Sequence, residues 1–452
     1  MAKEQNVDMT KGPIVRSLIT FAWPIFLGQL FQQFYNTADS VIVGRFADKN
    51  ALAAVASSGH LVFMMTGFFI GLFVGAGVVI SRYFGARDEE RMNKAIHTTV
   101  LFSFLCGVLM TVFGLLGTPV ILRWMNTPPE VLSLSITYFR LYSLGGLAIT
   151  VYNAGLGVLR AVGDSKSPLR YLVISSVVNV VLDLLFVGVF SWGVAGAAIA
   201  TTISQTVSAV LCFLKLLRLP KPFRMELKKL RFDWPLLRQI AGLGFPSGVQ
   251  NAIISLANVV VQTNINAFEA DAVAGCGAYS KVEGFVFLPI TSLTMAMTTF
   301  VSQNLGSRQY DRAKKGARFG TISAMLLAEG IGASLYVICP AVIAFFNDDP
   351  DVIAYGVLQM RTEAFFFFAL AYAHSIAAIL RGAGKAKIPM YTMLACWCVI
   401  RVTYITVAVR FFPVIQTIFW AYPLTWSLSC IVFFIYYYKA DWLHAFDHEV
   451  DS

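Results

Sequence analysis

Long uncharged apolar runs recur along the whole chain and constrain its fold more than any other feature. Residues 63–80 contain no charged side chain, and residues 171–213 contain a single one, Asp183. A helix needs about 20 apolar residues to cross a bilayer. Charged residues make up 13% of the 452 residues, against about 25% in soluble domains, so too few are present to cover a water-facing surface. We therefore predict an all-α, polytopic membrane protein.

The apolar runs delimit twelve candidate transmembrane helices. We place them near residues 14–44, 51–80, 93–121, 132–160, 167–190, 193–217, 237–266, 272–301, 314–345, 352–380, 388–411 and 415–438.

Basic residues are distributed unevenly between the loops that alternate spans would place on opposite sides of the membrane. Most of the 35 Lys and Arg residues lie at the N-terminus and in every second loop, with the largest group in 215–238. The other loops contain Arg45, Lys49, Arg123 and Arg410. Because cytoplasmic loops are enriched in Lys and Arg, we predict a multi-pass protein of the cytoplasmic (inner) cell membrane with both termini in the cytoplasm. The net charge of +10 then reflects topology, and we expect no nucleic-acid binding.

The two halves of the chain repeat one another at a nearly constant spacing. Matching pairs are Pro24 and Pro246, Ser81 and Ser302, Arg140 and Arg361, Gly163 and Gly384, and Pro168 and Pro389. A repeat of six spans has the same orientation in both halves, which predicts two parallel-repeat six-helix bundles that rock against each other during transport. We assign residues 1–219 to the N-terminal bundle, 220–236 to a cytoplasmic linker and 237–452 to the C-terminal bundle.

The spans carry no motif for nucleotide-driven or covalent chemistry. No G-x-x-x-x-G-K-[ST] motif is present, so we expect an ion gradient to drive transport, with no cofactor beyond a proton or sodium ion. A membrane-embedded enzyme, the alternative from another class, would need clustered His, Ser/Lys or metal ligands within the spans, and none is visible. The seven cysteines are typical of buried small apolar residues, and we expect no metal site.

Two acidic residues lie inside spans of the N-terminal half. Counted from the turn near 191–193 at 1.5 Å per residue, Asp183 and Thr201 both lie about 12 Å deep. Asp39 lies a comparable distance from its own outer loop, and Asn179 precedes Asp183 by one turn. If the carboxylates converge at this depth, both cannot stay charged without a cation, so the pattern predicts a proton or sodium site. The alternative is that each acid separately faces water or another polar group.

Polar residues and prolines mark the helices around this predicted site. Gln32 and Asn36 share one helix face with Asp39 by their spacing. Pro24 and Pro246 each remove a backbone donor early in the first span of their half and are predicted to kink it. A kink in the helix that carries Asp39 would couple protonation to bending; a fixed packing bend is the alternative.

The C-terminal half has intramembrane charges of its own. Glu283, Glu329, Glu363 and Arg401 fall within or near its spans. Arg401 is surrounded by apolar residues and needs an acidic partner if it faces inward, which Glu283 or Glu329 would supply. We predict an ion network of Glu283, Glu329 and Arg401, with a static pair that holds the bundle together as the alternative.

These features together resemble the multidrug and toxic compound extrusion (MATE) family over nearly the whole chain. The resemblance rests on an ordered set of motifs, namely Tyr35-Asn-Thr-Ala-Asp39 after Pro24, Val43-Gly44-Arg45, Ser81-Arg-Tyr-Phe-Gly85-Ala-Arg87, Leu159-Arg-Ala-Val-Gly163-Asp-Ser-Lys-Ser-Pro168 and Asn179-Val-Val-Leu-Asp183. It implies a V-shaped pair of six-helix bundles and export of amphipathic, often cationic organic compounds by proton or sodium antiport. It also implies that the four residues placed at one depth above, Asp39, Asn179, Asp183 and Thr201, form the family's N-terminal cation site. Residues assigned to the substrate cavity are Gln32, Tyr35 and Asn36.

Two positions separate the chain from the NorM-like branch of that family. This branch has acids in spans seven and ten, where the chain has Ile254 and Leu370. The difference favours the DinF-like branch and proton over sodium coupling. Expected partners are small organic substrates, the coupling cation and the lipid bilayer, and we expect a monomer because the two halves already form the pathway. A flippase for lipid-linked sugars is the alternative transporter, but its cavity would be expected to contain several cationic residues.

Overall fold

The computed structural model describes residues 7–46, 49–124 and 127–446. In these residues all the long elements are helices, and there is no β-strand. The first half consists of α1 (Ile14–Phe46), α2 (Lys49–Ala86), α3 (Glu89–Trp124), α4 (Pro129–Leu144), α5 (Gly146–Ala161), α6 (Lys166–Asp183) and α7 (Gly193–Arg218). The second half consists of α8 (Trp234–Ile265), α9 (Ala270–Gly306), α10 (Tyr310–Ala344), α11 (Pro350–Glu363), α12 (Phe367–Gly382), α13 (Lys387–Met393), α14 (Arg401–Phe411) and α15 (Ile415–Lys439).

The described helices form 11 candidate spans by length and apolar composition, or 12 when α4 and α5 count as one span bent by 50°. The bend lies at Gly145, which corresponds to the middle of the predicted span 132–160. In the second half, α11 and α12 continue one another through a 3-10 turn at Ala364–Phe366 and count together as one span. The predicted all-α, polytopic fold is confirmed.

The fifth span of each half contains a π-helical segment. In the first half the segment Leu184–Val189 begins directly after Asp183, and in the second half the segment Leu394–Ile400 ends directly before Arg401. A π-helical turn shifts the register of the side chains that follow, and such turns are frequent at functional sites. Each segment therefore adjoins an intramembrane charge.

The backbone repeats between the halves as closely as the sequence does. Arg87 and Arg308, which follow α2 and α9, both have left-handed conformations with φ of 59° and 57°. Gly163 and Gly384 match in the same way, with φ of 86° and 79°. At Gly163 a Cβ atom would also meet the carbonyl oxygen of Val7. Both the φ value and the space around Gly163 thus require glycine.

Contacts divide the chain into two compact units whose boundaries differ from those of the sequence repeat. Unit 1 consists of Met1–Asp8 and Leu27–Gly248, and unit 2 consists of Met9–Phe26 and Val249–Ser452. The two internal boundaries fall within α1 and α8, two residues after Pro24 and Pro246. The start of each half's first helix therefore packs with the unit formed mainly by the other half.

In unit 1, the beginning of α8 packs closely against α2 at glycines. A Cβ atom on Gly75 would lie 2.5 Å from the Cα atom of Gly244 and 2.7 Å from the Ile240 carbonyl oxygen. A Cβ atom on Gly71 would lie 2.5 Å from the backbone nitrogen of Gly248. Small residues four apart allow two helix backbones to approach each other closely inside a membrane.

The segment 220–236, predicted to be a linker, is bound along its length to α3 in unit 1. The Asn93 side chain donates to the Pro222 carbonyl at 2.7 Å, and the backbone N–H of Glu226 donates to Nε2 of His97 at 2.9 Å. The segment is therefore ordered against α3 and is not a free tether.

In unit 2, the residues before α1 are bound to the ends of α9 and α10. The Met9 N–H donates to Gln303 at 3.0 Å, and Asn304 donates to the Met9 carbonyl at 3.2 Å. The Arg312 guanidinium donates to the carbonyls of Met9, Lys11 and Gly12, the last at 2.7 Å. These bonds explain why the segment that starts at Met9 belongs to unit 2.

Candidate cation-binding site

Asp39 and Asp183 come together inside unit 1, and we call them the aspartate pair. Asp39 lies on α1 and Asp183 is the last residue of α6. Their carboxyl groups lie within hydrogen-bonding reach of each other. Asp183 has no exposed surface, and Asp39 is partly buried. The two intramembrane acids of the first half therefore form one site.

Asn179 and Thr201 complete the inner side of this site. In one orientation, the Asn179 amide forms hydrogen bonds with two neighbours. Its Nδ2 donates to Oδ2 of Asp183 at 2.8 Å, and its oxygen accepts from the Thr201 N–H at 3.3 Å. The Thr201 side chain is in turn hydrogen bonded to Tyr35. All four residues selected by depth in the sequence, together with Tyr35, thus lie in one connected group.

Two further tyrosines belong to this group and were not predicted, one beside the aspartate pair and one beside Tyr35. Tyr138 and Tyr142 are buried on α4, and their rings stack with centroids 6.4 Å apart. The charges of Asp39 and Asp183 both act on Tyr138. The signal in the sequence is their spacing of four residues in the fourth span, which places both on one helix face.

The electrostatics of the pair follow from its donors and acceptors. A carboxylate only accepts hydrogen bonds, so two carboxyl groups that bond to each other must share a proton. Each acid also has a buried oxygen, Oδ1, without a hydrogen-bond partner. Among the described residues no Lys, Arg or His forms an ion pair with Asp39 or Asp183. Within the described part of the chain, the site therefore has no ion-paired cation and has two buried carboxyl oxygens without a partner.

The other predicted residues of α1 lie outside this group. Gln32 and Asn36 have exposed side chains. Pro24 lies inside α1, and Pro246 lies inside α8, without ending either helix. The cavity role of the first two and the kink role of the prolines stay predictions.

Unit 2 contains a second buried group of charges, which we call the glutamate–arginine cluster, formed by Glu283, Glu363 and Arg401 with their neighbours. Glu363 has no exposed surface and accepts a 2.7 Å hydrogen bond from the Tyr279 hydroxyl. The Gln359 amide donates to its other oxygen at 2.9 Å. The charges of Glu283 and Arg401 both act on Glu363.

Of the two acids predicted as alternative partners of Arg401, Glu283 and Glu329, the structure places Glu329 elsewhere. Glu329 is partly exposed and accepts from the backbone N–H of Phe368 at 3.3 Å, while the carboxylates whose charges act on Arg401 belong to Glu363 and Glu283. Glu329 comes from α10, which faces the 3-10 turn after α11, and this places it away from α14. Glu363 replaces it in the network.

Arg401 is held by hydroxyl and aromatic groups. Its Nε and Nη2 atoms both donate to Oγ1 of Thr425, at 3.2 and 2.8 Å. The guanidinium lies over the rings of Tyr422 and Trp397, 4.5 and 5.5 Å from their centroids. Among the described residues no carboxylate lies within ion-pairing distance of Arg401.

Comparison with known proteins shows the same repeated organisation. The MatE family model matches the chain twice, over residues 24–185 and 246–407. The chain is 28% identical over 439 residues to "Probable multidrug resistance protein YoeA" of Bacillus subtilis, covering 95% of the chain and 94% of the relative. It is 25% identical over 390 residues to "Probable multidrug resistance protein NorM" of Thermotoga maritima, covering 85% and 83%.

A solved structure described as the outward-facing conformation of a multidrug resistance MATE family transporter of the MOP superfamily shares the fold. Its TM-score is 0.89 at 22% identity, over 96% of this chain and 98% of that chain. Two repeated halves of apolar spans, each with a polar centre, define a multi-pass membrane transporter rather than an enzyme. The chain belongs to the MatE family, the multidrug and toxic compound extrusion transporters. The predicted family is thus confirmed, and the DinF-like branch stays a prediction.

Proposed function

We propose that the chain exports amphipathic organic cations from the cytoplasm in exchange for protons, and that the aspartate pair binds the coupling proton. The observation that carries the proposal is that the carboxyl groups of Asp39 and Asp183 come within hydrogen-bonding reach of each other. A hydrogen bond between them needs one shared proton. Loss of that proton leaves two negative charges in contact within a span, which is strongly unfavourable in a medium of low dielectric constant.

The organic cation and the proton compete for this negative charge, and the competition couples export of one to import of the other. An organic cation near the pair would stabilise its deprotonated form, and a proton would remove the charge that attracts the cation. Proton entry from the outside would therefore release the substrate outward. Because Asp183 is fully buried while α1 has exposed polar side chains at Gln32 and Asn36, we place the substrate along α1 and the proton between the acids.

The proposed class of substrate is based on the names of the relatives and on the negative charge of the two acids at the site. The names of YoeA and NorM refer to multidrug resistance, and these names favour drug efflux over a lipid flippase. A flippase for a pyrophosphate-linked lipid would require cationic groups in its cavity, whereas the polar centre of unit 1 has two acids and no ion-paired base among the described residues. Small organic cations fit this charge.

Sodium is a second candidate for the coupling ion, because one observation favours it. Oδ1 of Asp39 and Oδ1 of Asp183 are both buried without a partner, and sodium ions bind oxygen ligands. The apolar residues at Ile254 and Leu370, where the NorM-like branch has acids, favour the proton. The two candidates are separated by the driving gradient in the experiment below.

The test is ethidium transport by purified protein in liposomes, driven either by a pH gradient without sodium or by a sodium gradient at symmetric pH. We expect the wild type to respond to the pH gradient and the variants Asp39→Asn and Asp183→Asn to lose at least tenfold in rate. Glu130→Gln, which changes an exposed carboxyl group at the start of α4, is the matched control and should transport normally. Transport driven by sodium alone would overturn proton coupling, and full activity of both Asp variants would overturn the site.

A further inference from the structure

The carboxyl group of Glu363 is buried on every side by groups of the glutamate–arginine cluster. Each of its two oxygens accepts one hydrogen bond, from Tyr279 at 2.7 Å and from Gln359 at 2.9 Å. Both donors are neutral, so neither cancels the charge of a carboxylate. A buried carboxylate needs a positive charge or a proton to offset the cost of desolvation.

Charge counting in the cluster leaves one carboxyl group without a counter-ion. Several titratable groups on α9, α14 and α15 interact with Glu363. They are Cys276, Tyr279, Glu283, Arg401 and Tyr422. Arg401 is the single cation in this group, whereas Glu283 and Glu363 are two acids, and the charge of Glu283 acts on Glu363. One guanidinium can offset only one of the two negative charges, so a proton on one acid is needed to balance the cluster.

Arg401 is held in place by groups other than the two acids. Thr425 accepts both of its hydrogen bonds, and the Tyr422 and Trp397 rings cover its faces. Its position is therefore set by the hydroxyl and the two rings, and arginine stays protonated in proteins. It serves as a constant internal cation beside a pair of exchangeable carboxyl groups.

The Gln359 side chain shows where a proton can be accommodated. This residue is 3% exposed, and its Oε1 atom is buried without a hydrogen-bond partner while its Nε2 atom donates to Glu363. Rotation of the amide by half a turn would present Oε1 to Glu363 instead. The side chain can thus donate to the carboxylate and accept from the carboxylic acid, and the unused acceptor finds its partner only in the protonated state.

In the sequence repeat, two residues of the glutamate–arginine cluster correspond to two residues of the group around the aspartate pair. By the spacing that matches Arg140 with Arg361, Gln359 and Glu363 correspond to Tyr138 and Tyr142. In unit 1, Tyr138 adjoins the aspartate pair and Tyr142 interacts with Tyr35 of the same group. The same two positions of one span therefore face the polar centre of each unit. In unit 2 they supply the amide and the acid themselves.

We propose that Glu363, together with Glu283 and the fixed cation Arg401, forms a second proton-binding site that is taken through one protonation and deprotonation in each transport cycle. Glu283 is partly exposed and lies one turn after Tyr279 on α9, and its charge acts on the buried Glu363, so we assign it as the acid that exchanges the proton with Glu363. The step transfers one proton between Glu283 and Glu363 and needs no other reactant. The transport role rests on the proton antiport proposed above, whereas proton binding at Glu363 does not.

The first test detects the proton directly. Infrared difference spectra between acid and alkaline pH, recorded on the full chain in lipid, should contain a carboxylic-acid C=O band that is lost in Glu363→Gln and shifted in Tyr279→Phe, which removes its hydrogen-bond donor. Glu363→Gln is expected to fold because its new amide can donate to the free Oε1 of Gln359. Glu329→Gln, a change of a glutamate outside the cluster, is the matched control and should retain the band. The same bands in wild type and Glu363→Gln would overturn the site.

The second test measures the number of protons exchanged per substrate. The pH gradient that just balances a fixed gradient of ethidium gives this number in liposomes. We expect Glu363→Gln to exchange one proton fewer than wild type and Glu329→Gln to be unchanged. An unchanged ratio in Glu363→Gln would overturn its role in the cycle. If even the wild type fails to respond to pH, the proposed antiport fails, while the infrared band still decides whether Glu363 binds a proton.

Discussion

The guanidinium of Arg401 lies 4.5 Å from the centroid of the Tyr422 ring, and the Thr425 hydroxyl accepts two of its N–H groups. This arrangement uses the flat shape of the guanidinium, which can stack on a ring and bond at its edge at once. An ammonium group offers neither feature. The position of the charge in unit 2 therefore depends on the shape of arginine as well as on its sign.

Arg401→Lys should accordingly destabilise the protein although the charge is kept. We expect a loss of about 1–2 kcal/mol from the cation–π contact and the paired hydrogen bonds. Thermal unfolding in detergent, followed by loss of monodisperse protein, measures it. Arg410→Lys on the same helix has an exposed side chain and serves as control. Equal unfolding temperatures for the two variants would contradict this account.

Gly75→Ala should be poorly tolerated because its new methyl group would meet backbone atoms. The Cβ atom would lie 2.5 Å from the Cα atom of Gly244 and 2.7 Å from the Ile240 carbonyl, and backbone cannot move aside as a flexible side chain does. Overpacking of this kind costs about 1–3 kcal/mol or more. We expect a marked fall in the amount of folded protein recovered from membranes.

Gly242→Ala is the matched control for this prediction. A Cβ atom at Gly242 has no other atom within 4 Å, and alanine favours the helix by about 1 kcal/mol over glycine. Recovery and thermal stability should stay equal or rise. If both alanine variants behave alike, the close approach of α2 and α8 does not limit stability.

The sequence was sufficient to predict the spans, the repeat and the level of the aspartate pair. Spans follow from runs of apolar residues, since lipid imposes one length on every helix. Depth follows from counting residues to the nearest loop, and this places Asp183 and Thr201 at one level although they lie on different helices. Contact between Asp39 and Asp183 then needs only that α1 and α6 be neighbours.

Features that depend on lateral packing could not be predicted in the same way. Depth does not tell which face of a helix meets which neighbour, so the predicted network of Arg401 and Glu283 included Glu329 in place of Glu363. The unit boundaries after Pro24 and Pro246 depend on where α1 and α8 change neighbours, and the repeat has no signal for that. The π-helical segments beside Asp183 and Arg401 shift side chains by a register that periodicity does not predict.

Asn179→Ala should impair transport more than it impairs folding. The change removes the donor to the buried Oδ2 of Asp183 and the acceptor that faces the Thr201 N–H, and loss of the donor to a buried carboxyl oxygen costs about 1–3 kcal/mol. The free carboxylate loses a stabilising donor, so we expect an ethidium transport rate about tenfold lower in liposomes. Asn153→Ala, which removes an amide bonded to the Ile149 carbonyl, is the control. Equal losses in both variants would argue against a specific role for Asn179.

Arg312→Gln should release the segment that precedes α1. The guanidinium donates to the Met9, Lys11 and Gly12 carbonyls, and hydrogen bonds to a charged group contribute about 1.5–3 kcal/mol. Cleavage by trypsin after Lys11 requires local opening of this segment, and its rate under mild conditions follows the population of the open form. We therefore expect cleavage at least about tenfold faster, detected as a fragment that begins at Gly12. Lys315→Gln, an exposed change on the same helix α10, should be cleaved at the wild-type rate. Gln303 and Asn304 still hold Met9 in the Arg312 variant, so the rest of unit 2 should stay resistant to trypsin. General degradation in place of a single cut would show that Arg312 stabilises the whole unit instead.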